Sequence, residues 1–158
     1  MRRLAAWLVD WLLISAYAAA LVPFGLLISD TVADLPVAVL NAGAFVITVL
    51  PATVWLAAWE HGGRGATPGK RVLRLQAVGP DGGPPGWRRA LLRNAVKLAL
   101  PWELGHTAAF ELVADNNSIL GMVCGYAACL IALVYVVMLL ATGRTPYDRL
   151  SSTSVRRL

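Results

Sequence analysis

Two long apolar runs open the chain, Leu4 to Ile28 and Val37 to Trp59, and a third, Ile119 to Thr142, lies near its end. A helix rises about 1.5 Å per residue and the hydrocarbon core of a bilayer is about 30 Å thick, so each run is long enough to cross as a helix. The stretch between the second and third runs differs in kind. Residues 60–89 are basic and rich in Gly and Pro, and residues 90–114 are apolar but carry Arg93, Lys97, Glu103, His106 and Glu111. Inside the connection, Val72 to Val78 is β-prone and lies between Pro68-Gly69 and Gly79-Pro80-Asp81-Gly82-Gly83, which predicts a strand or hairpin arm leading into a turn. Trp87, Arg88 and Arg89 mark the interfacial start of the next helix.

Charge placement turns these runs into a topology. All 14 basic residues fall in three places: Arg2 and Arg3, the stretch Arg64 to Lys97, and the tail Arg144 to Arg157. The positive-inside rule puts all three on the cytoplasmic side, so an even number of crossings separates each from the next. Two clear helices separate the first pair. Only one clear helix lies between Lys97 and Arg144, so the segment 90–114 must cross or re-enter as well. The expected fold is an all-α integral membrane protein. It is one domain over residues 1–158, a bundle of four transmembrane helices (4–28, 37–59, 90–114 and 119–142) with a short β-prone cytoplasmic loop, 60–89, and a cytoplasmic tail, 143–158. Asp30, Asp34, Asp115, Asn116 and Asn117 then lie outside. The alternative has three crossings, with residues 88–114 in the interface as a basic amphipathic helix. The expected location is the plasma (inner) membrane of a bacterium, with both termini cytoplasmic.

Composition agrees with this and removes other classes. Of 158 residues, 58% are hydrophobic and 15% charged, too apolar for an ordinary soluble domain. The net charge of +5 is segregated by segment rather than gathered on a soluble face, which fits anionic lipid headgroups at the cytoplasmic surface and not nucleic acid. Cys124 and Cys129 sit inside an apolar helix with no companion ligands, so neither zinc nor disulfide chemistry is expected. The N-terminus imitates a signal peptide, but Asp10 falls in the middle of its apolar region and the run continues through Ile28, so a retained helix is expected.

Asp10 is the most informative residue. An ionisable group at that depth costs about 2.5–3.5 kcal/mol on insertion scales and normally faces a partner or a wet cavity. The segment Gly65-Ala66-Thr67-Pro68-Gly69-Lys70 resembles a phosphate loop only superficially, because Arg64 and Arg71 stand where that loop needs Gly and Ser or Thr. Thr67, Pro68, Gly69, Lys70 and Arg71 are instead expected to form a tight turn touching lipid headgroups.

These residues carry a resemblance. Arg3 and Asp10 in the first helix, Thr67 to Lys70 after the second, the pair Arg93-Asn94 opening the third, and a closing Asp-x-Leu-x-x-Thr at Asp148, Leu150 and Thr153 occur in the order seen in the RDD membrane proteins, named for one arginine and two aspartates. The resemblance covers nearly the whole chain, with Arg3, Asp10 and Asp148 as its defining residues. Tyr147 departs from it, standing where many members have His, and Pro101 to His106 looks like the mark of a subgroup. The resemblance implies transport, cation/proton exchange included, as the usual suggestion.

Helix geometry adds pairings. Arg3 and Asp10 share a face but lie about 10.5 Å apart along the axis, too far for a direct pair. Arg89, Arg93 and Lys97 form one basic stripe, so Asp10 is expected to pair with Arg93 or Lys97, and Arg3 with Asp148. Glu103, His106, Thr107, Phe110 and Glu111 share an arc just after Pro101. Glu103 and His106 make a Glu-x-x-His unit that suits a structural hydrogen-bonded pair, a proton or cation relay, or, with further ligands from other helices, a metal; no metal or cofactor is expected. Gly121 and Gly125 form a small-residue packing face, within the bundle or between subunits, and dimerisation would complete a thin-walled bundle. No nucleophile and base are placed together, so no enzyme is expected. The expectation is a transporter of ions or small solutes, with Asp10, Glu103, His106 and Glu111 along the path of protons and monovalent cations. The alternative is a non-transporting membrane scaffold or assembly factor that binds lipid or a protein partner.

Overall fold

The computed structural model describes residues 2–157, and they are mostly helical. Helix α1 runs Arg2–Val32, and α2 runs Val37–His61 through a π-helical turn at Phe45–Val49. A short helix α3, Pro68–Val72, and strand β1, Leu75–Val78, fill the following connection. Helix α4 covers residues 87–114 with its own π turn at Ala95–Ala99, α5 is Ile119–Thr142, and the chain closes with α6, Pro146–Leu150, and β2, Ser154–Arg157. Three helices, α1, α2 and α5, are long and apolar enough to cross a membrane.

The four long helices alternate in direction. Arg3, Glu60, Arg93 and Asp148 therefore meet at one end, the charged end, and the turns 33–36 and 115–118 lie at the other. Pro36 precedes α2, the Ser118 hydroxyl accepts from Gly121 N at 3.2 Å to cap α5, and Gly143, at φ +67°, closes α5 in the left-handed conformation that glycine adopts without a Cβ penalty. Ile14 of α1, Ala52 and Leu56 of α2 and Leu98 of α4 form the shared core, with Trp102 packed against it. Leu8, Leu12, Leu26, Leu133 and Leu140, by contrast, point outward, as helix faces suited to lipid do.

Both π turns end at a Leu-Pro step, Leu50-Pro51 and Leu100-Pro101. Proline has no N–H, so a carbonyl one turn back loses its donor and the ladder widens locally. Tyrosines from neighbouring helices take up the freed carbonyls. Tyr17 of α1 donates to Ile47 O at 2.5 Å, and Tyr135 of α5 donates to Val96 O at 2.5 Å.

Two expectations need correction here. The connection is not a hairpin, because β1 pairs antiparallel with β2 of the tail, in register Leu75 with Arg157 and Val78 with Ser154. Residues 68–72, partly within the run read as β-prone, are helical because Thr67 caps them and Pro68 pre-sets the first helical φ. The first helix is also longer than its apolar run, reaching Val32, while α4 starts at Trp87, the residue read as its interfacial start ahead of the apolar span 90–114. On Gly121, an added Cβ would come within 2.9 Å of Leu112, so that glycine face packs on α4 within the chain.

Candidate functional site

Six buried charges and the partly exposed Arg3 converge at the charged end, from parts of the chain far apart in sequence. Glu60, at the last turn of α2, is the hub. Its Oε1 accepts from Arg93 Nη1 at 2.6 Å and from Lys70 Nζ, and its Oε2 accepts from Asn94 Nδ2 at 3.0 Å. Arg93 reaches on to the tail, where Nη2 and Nε donate to Asp148 Oδ1 at 2.7 and 3.1 Å. The other Asp148 oxygen accepts from Arg3 and from Thr145 N at 3.3 Å, so the residue that precedes α6 and the first turn of α1 are held by one carboxylate. Burial alone would raise the Asp148 carboxyl, but Arg93 and Arg3 outweigh it and hold the group below its ordinary value. Burial likewise pushes the Lys70 ammonium down, to about 7, against the pull of Glu60. Tyr147, the departure from the family pattern, lies with its ring 5.4 Å from the Arg93 guanidinium and edge-on to Tyr135, so it supplies a π face to the cation.

Asp10 anchors the connection to α1. Its Oδ2 accepts from the Thr67 hydroxyl at 2.7 Å and its Oδ1 from Gly69 N at 2.8 Å. A Cβ on Gly69 would collide with Ala6 O, so the short helix can lie this close to α1 only because that position is glycine. Lys97 Nζ stands 4.0 Å from Asp10 Oδ2. Arg93 does not pair with Asp10; it is turned to Glu60 and Asp148, since two carboxylates converge on its fork and Asp10 is already engaged by Thr67 and Gly69. The turn expected at the headgroups is also largely internal. Thr67, Gly69 and Lys70 are buried, because the carboxylates of Asp10 and Glu60 need their donors, Pro68 is half-buried, and Arg71 lies over the Trp59 ring at 4.1 Å.

Of the residues read as an ion path, Asp10 lies on α1, whereas Glu103, His106 and Glu111 occupy the other half of α4 and do not form one line with it. Glu103 Oε1 accepts from Asn41 Nδ2 of α2 at 2.8 Å, and the same amide donates to Thr107 at 3.0 Å. His106 turns the other way, its Nε2 accepting from Trp102 Nε1 at 2.7 Å. Glu111 accepts from the Ser118 hydroxyl at 3.0 Å, tying α4 to the cap of α5. Among the described residues no group of three His, Cys, Asp or Glu side chains comes together, so Glu103 and His106 gain no further ligand of those types. Glu103 Oε2, Asn41 Oδ1 and His106 Nδ1 are buried without a hydrogen-bond partner.

Two cavities flank this arrangement. The larger, about 610 Å³, lies between α1, α4 and α5 and includes Asp10, Lys97 and Trp102 in its wall. The smaller, about 470 Å³, lies between α2 and α4 toward the other end and includes Asn41, Glu103, Thr107 and Glu111. Trp102 borders the first and donates to His106.

Glu60 and Asn41 are the site residues that the sequence pattern does not single out. Neither a curated protein nor a solved structure matches the chain. The model of the RDD family matches residues 1–153, a span that contains Arg3, Asp10, the Thr67–Lys70 turn, Arg93 and Asp148, and the chain belongs to that membrane-associated family.

Proposed function

We propose that the protein is a small membrane transporter of ions or small solutes, with cation/proton exchange as its activity. The observation that carries this reading is the pair of buried oxygens, Glu103 Oε2 and Asn41 Oδ1, that accept no hydrogen bond beside the smaller cavity. Oxygens in that condition are costly, and a proton on Glu103 or a dehydrated monovalent cation shared with Asn41 and Thr107 would satisfy them. Asp10 faces the other cavity, with Lys97 as its resident counter-charge. Exchange would then alternate a proton and a cation at Glu103, reached from the smaller cavity, beside His106 and the proline-weakened stretch of α4.

The reading takes α4 as a fourth crossing. Its 87–114 span is about 42 Å long by helical rise, enough for a bilayer core even when tilted. Both termini and the basic connection would face the cytoplasm of a bacterial cell, with anionic headgroups around them, and pairing of two copies would thicken the wall of so thin a bundle. A cysteine at Asn117 should then be labelled from outside by an impermeant reagent, and one at Gly82 should not. Labelling of Asn117 from the cytoplasmic side alone would remove the fourth crossing.

Transport is tested in proteoliposomes with an internal pH dye and imposed gradients of Na⁺, K⁺ or Li⁺. Wild-type protein should move protons in response to at least one of these ions, and folded Glu103→Gln should not. A well-folded wild type that moves none of them would favour the second reading, a scaffold or assembly factor. The closed ion-pair cluster of Arg3, Glu60, Arg93 and Asp148 supports that reading, because such a cluster can serve purely to lock helices together.

A further inference from the structure

The larger cavity has a chemistry that cation exchange does not use. Its walls are apolar and aromatic, with Trp7, Trp11, Leu98, Trp102 and Leu139 among them, and Lys97 stands at its charged end. Lys97 is only 7% exposed, yet its ammonium makes no hydrogen bond among the described residues and its nearest carboxylate oxygen is the one at 4.0 Å on Asp10. The cluster around it is also unbalanced: Arg3, Lys70, Arg93 and Lys97 face only Asp10, Glu60 and Asp148. One basic group is left over, and Lys97, 4.0 Å from Asp10 Oδ2, is the cation with the longest pairing distance and no hydrogen bond to a carboxylate.

The cavity opens sideways. Trp11 on α1 and Val136 on α5 both line it and remain 44% and 41% exposed, on helices whose outer faces are apolar. Along α1 the lining extends from Arg3 to Ala18, about 22 Å by helical rise, more than half the thickness of a hydrocarbon core. A volume of 610 Å³ is in the usual range for a ligand site and suits one hydrocarbon chain. A soluble anion would meet Lys97 but would be stripped of water against Trp and Leu walls. A cation would be repelled by the excess charge. A neutral lipid would fill the walls and leave Lys97 with only the distant Asp10.

We propose that this cavity is a binding site for an anionic membrane phospholipid, one acyl chain lying between α1, α4 and α5 and the phosphate seated against Lys97. The headgroup would complete the charge balance of the cluster, and the chain would fill the gap between α1 and the rest of the bundle. The proposal is independent of transport, since a lipid held here could brace a carrier or a scaffold equally.

Tryptophan fluorescence provides the test, because three indoles line the cavity and bromine on an acyl chain quenches indole by contact. The full chain is reconstituted in phosphatidylcholine vesicles with brominated phosphatidylglycerol or brominated phosphatidylcholine at equal mole fraction. One basic side chain near a headgroup is expected to favour the anionic lipid about fivefold in wild type. Lys97→Met should remove that preference. Ala132→Phe, which fills the apolar wall without touching a charge, should remove the excess quenching by the anionic lipid and covers the case in which Lys97→Met fails to fold. Equal quenching by the two lipids in wild type would overturn the proposal. So would a preference that survives in both variants, which would assign it to the general basic surface.

Discussion

The charged end of the bundle and the middle of α4 treat their carboxylates in opposite ways. At the charged end, every carboxylate oxygen of Asp10, Glu60 and Asp148 accepts at least one hydrogen bond from a donor on another element or from the backbone. Half-way along α4, Glu103 has one oxygen engaged and one bare, and its partner Asn41 has a bare carbonyl as well. Asn94 Oδ1 at the charged end is bare as well, so the contrast lies in the carboxylates: one with both oxygens engaged is held by several donors, whereas one with a bare oxygen has a low-cost way to accept a proton or an ion. The family motif therefore builds a frame, and any working chemistry is more readily placed outside its defining Arg3, Asp10 and Asp148, at residues such as Glu103 in the subgroup stretch Pro101 to His106.

The comparison breaks first at Glu60. Glu60→Gln leaves Arg93 and Lys70 buried with less than their full counter-charge, and removing one side of a buried ion pair typically costs about 3–5 kcal/mol. The expected outcome is loss of monodisperse protein in detergent, or a large fall in its unfolding temperature. Glu103→Gln should fold nearly as well as wild type, because an amide can still accept from Asn41. Equal losses in the two variants would erase the distinction between frame and working site.

Next in size is Gly69→Ala. A Cβ there would collide with Ala6 O and sit 2.9 Å from Asp10 Oδ1, so α3 must lift away from α1 and take both Asp10 hydrogen bonds with it. Overpacking of this kind costs about 1–3 kcal/mol. Limited proteolysis should cut the 62–86 connection faster in the variant, while the α4–α5 hairpin keeps its protection. An unchanged digestion rate would mean that the turn is not pinned to α1 through Asp10.

Much of the charged end is legible in the sequence, for a physical reason. A charge in an apolar run must find a partner, so Arg3, Asp10, Arg93, Lys97 and Asp148 stand out, and Arg3 does meet Asp148. Glu60 gives no such signal, because it stands between Trp59 and His61 at the edge of a basic loop and reads as a solvated helix end. A charge count would find it. Arg3, Lys70, Arg93 and Lys97 outnumber Asp10 and Asp148, and Glu60 is the acid at the matching helix end. Asn41 is easily passed over because a lone amide in an apolar run is inexpensive by hydropathy, although α2 and α4 place it opposite Glu103. Strand β2 leaves no trace in the pattern: Ser154–Arg157 is short and polar, and its partner lies far away in sequence. Residues 114–118 and 143–145 show the reverse case, where Ser118 and Gly143 mark the helix ends by local chemistry alone.

The smallest effect sharpens the comparison rather than breaking it. Pro51 and Pro101 weaken α2 and α4 at matching places, and each weakness is covered by one tyrosine hydroxyl, Tyr17 on Ile47 O and Tyr135 on Val96 O. Tyr17→Phe or Tyr135→Phe keeps the ring and removes only that hydrogen bond, worth about 0.5–1.5 kcal/mol. If these turns only hold the frame, both variants should lower the unfolding temperature slightly and leave ion movement untouched. If α4 flexes at Pro101 during exchange, Tyr135→Phe should change the rate of cation-driven proton movement while Tyr17→Phe, on the helix that packs against the Asn41 helix, has less effect on rate at similar cost in stability. Stopped-flow measurement of the internal pH dye in both variants, set beside their unfolding temperatures, separates the two outcomes. Identical rates at equal stability would show that the proline turn of α4 is as static as the cluster beneath it.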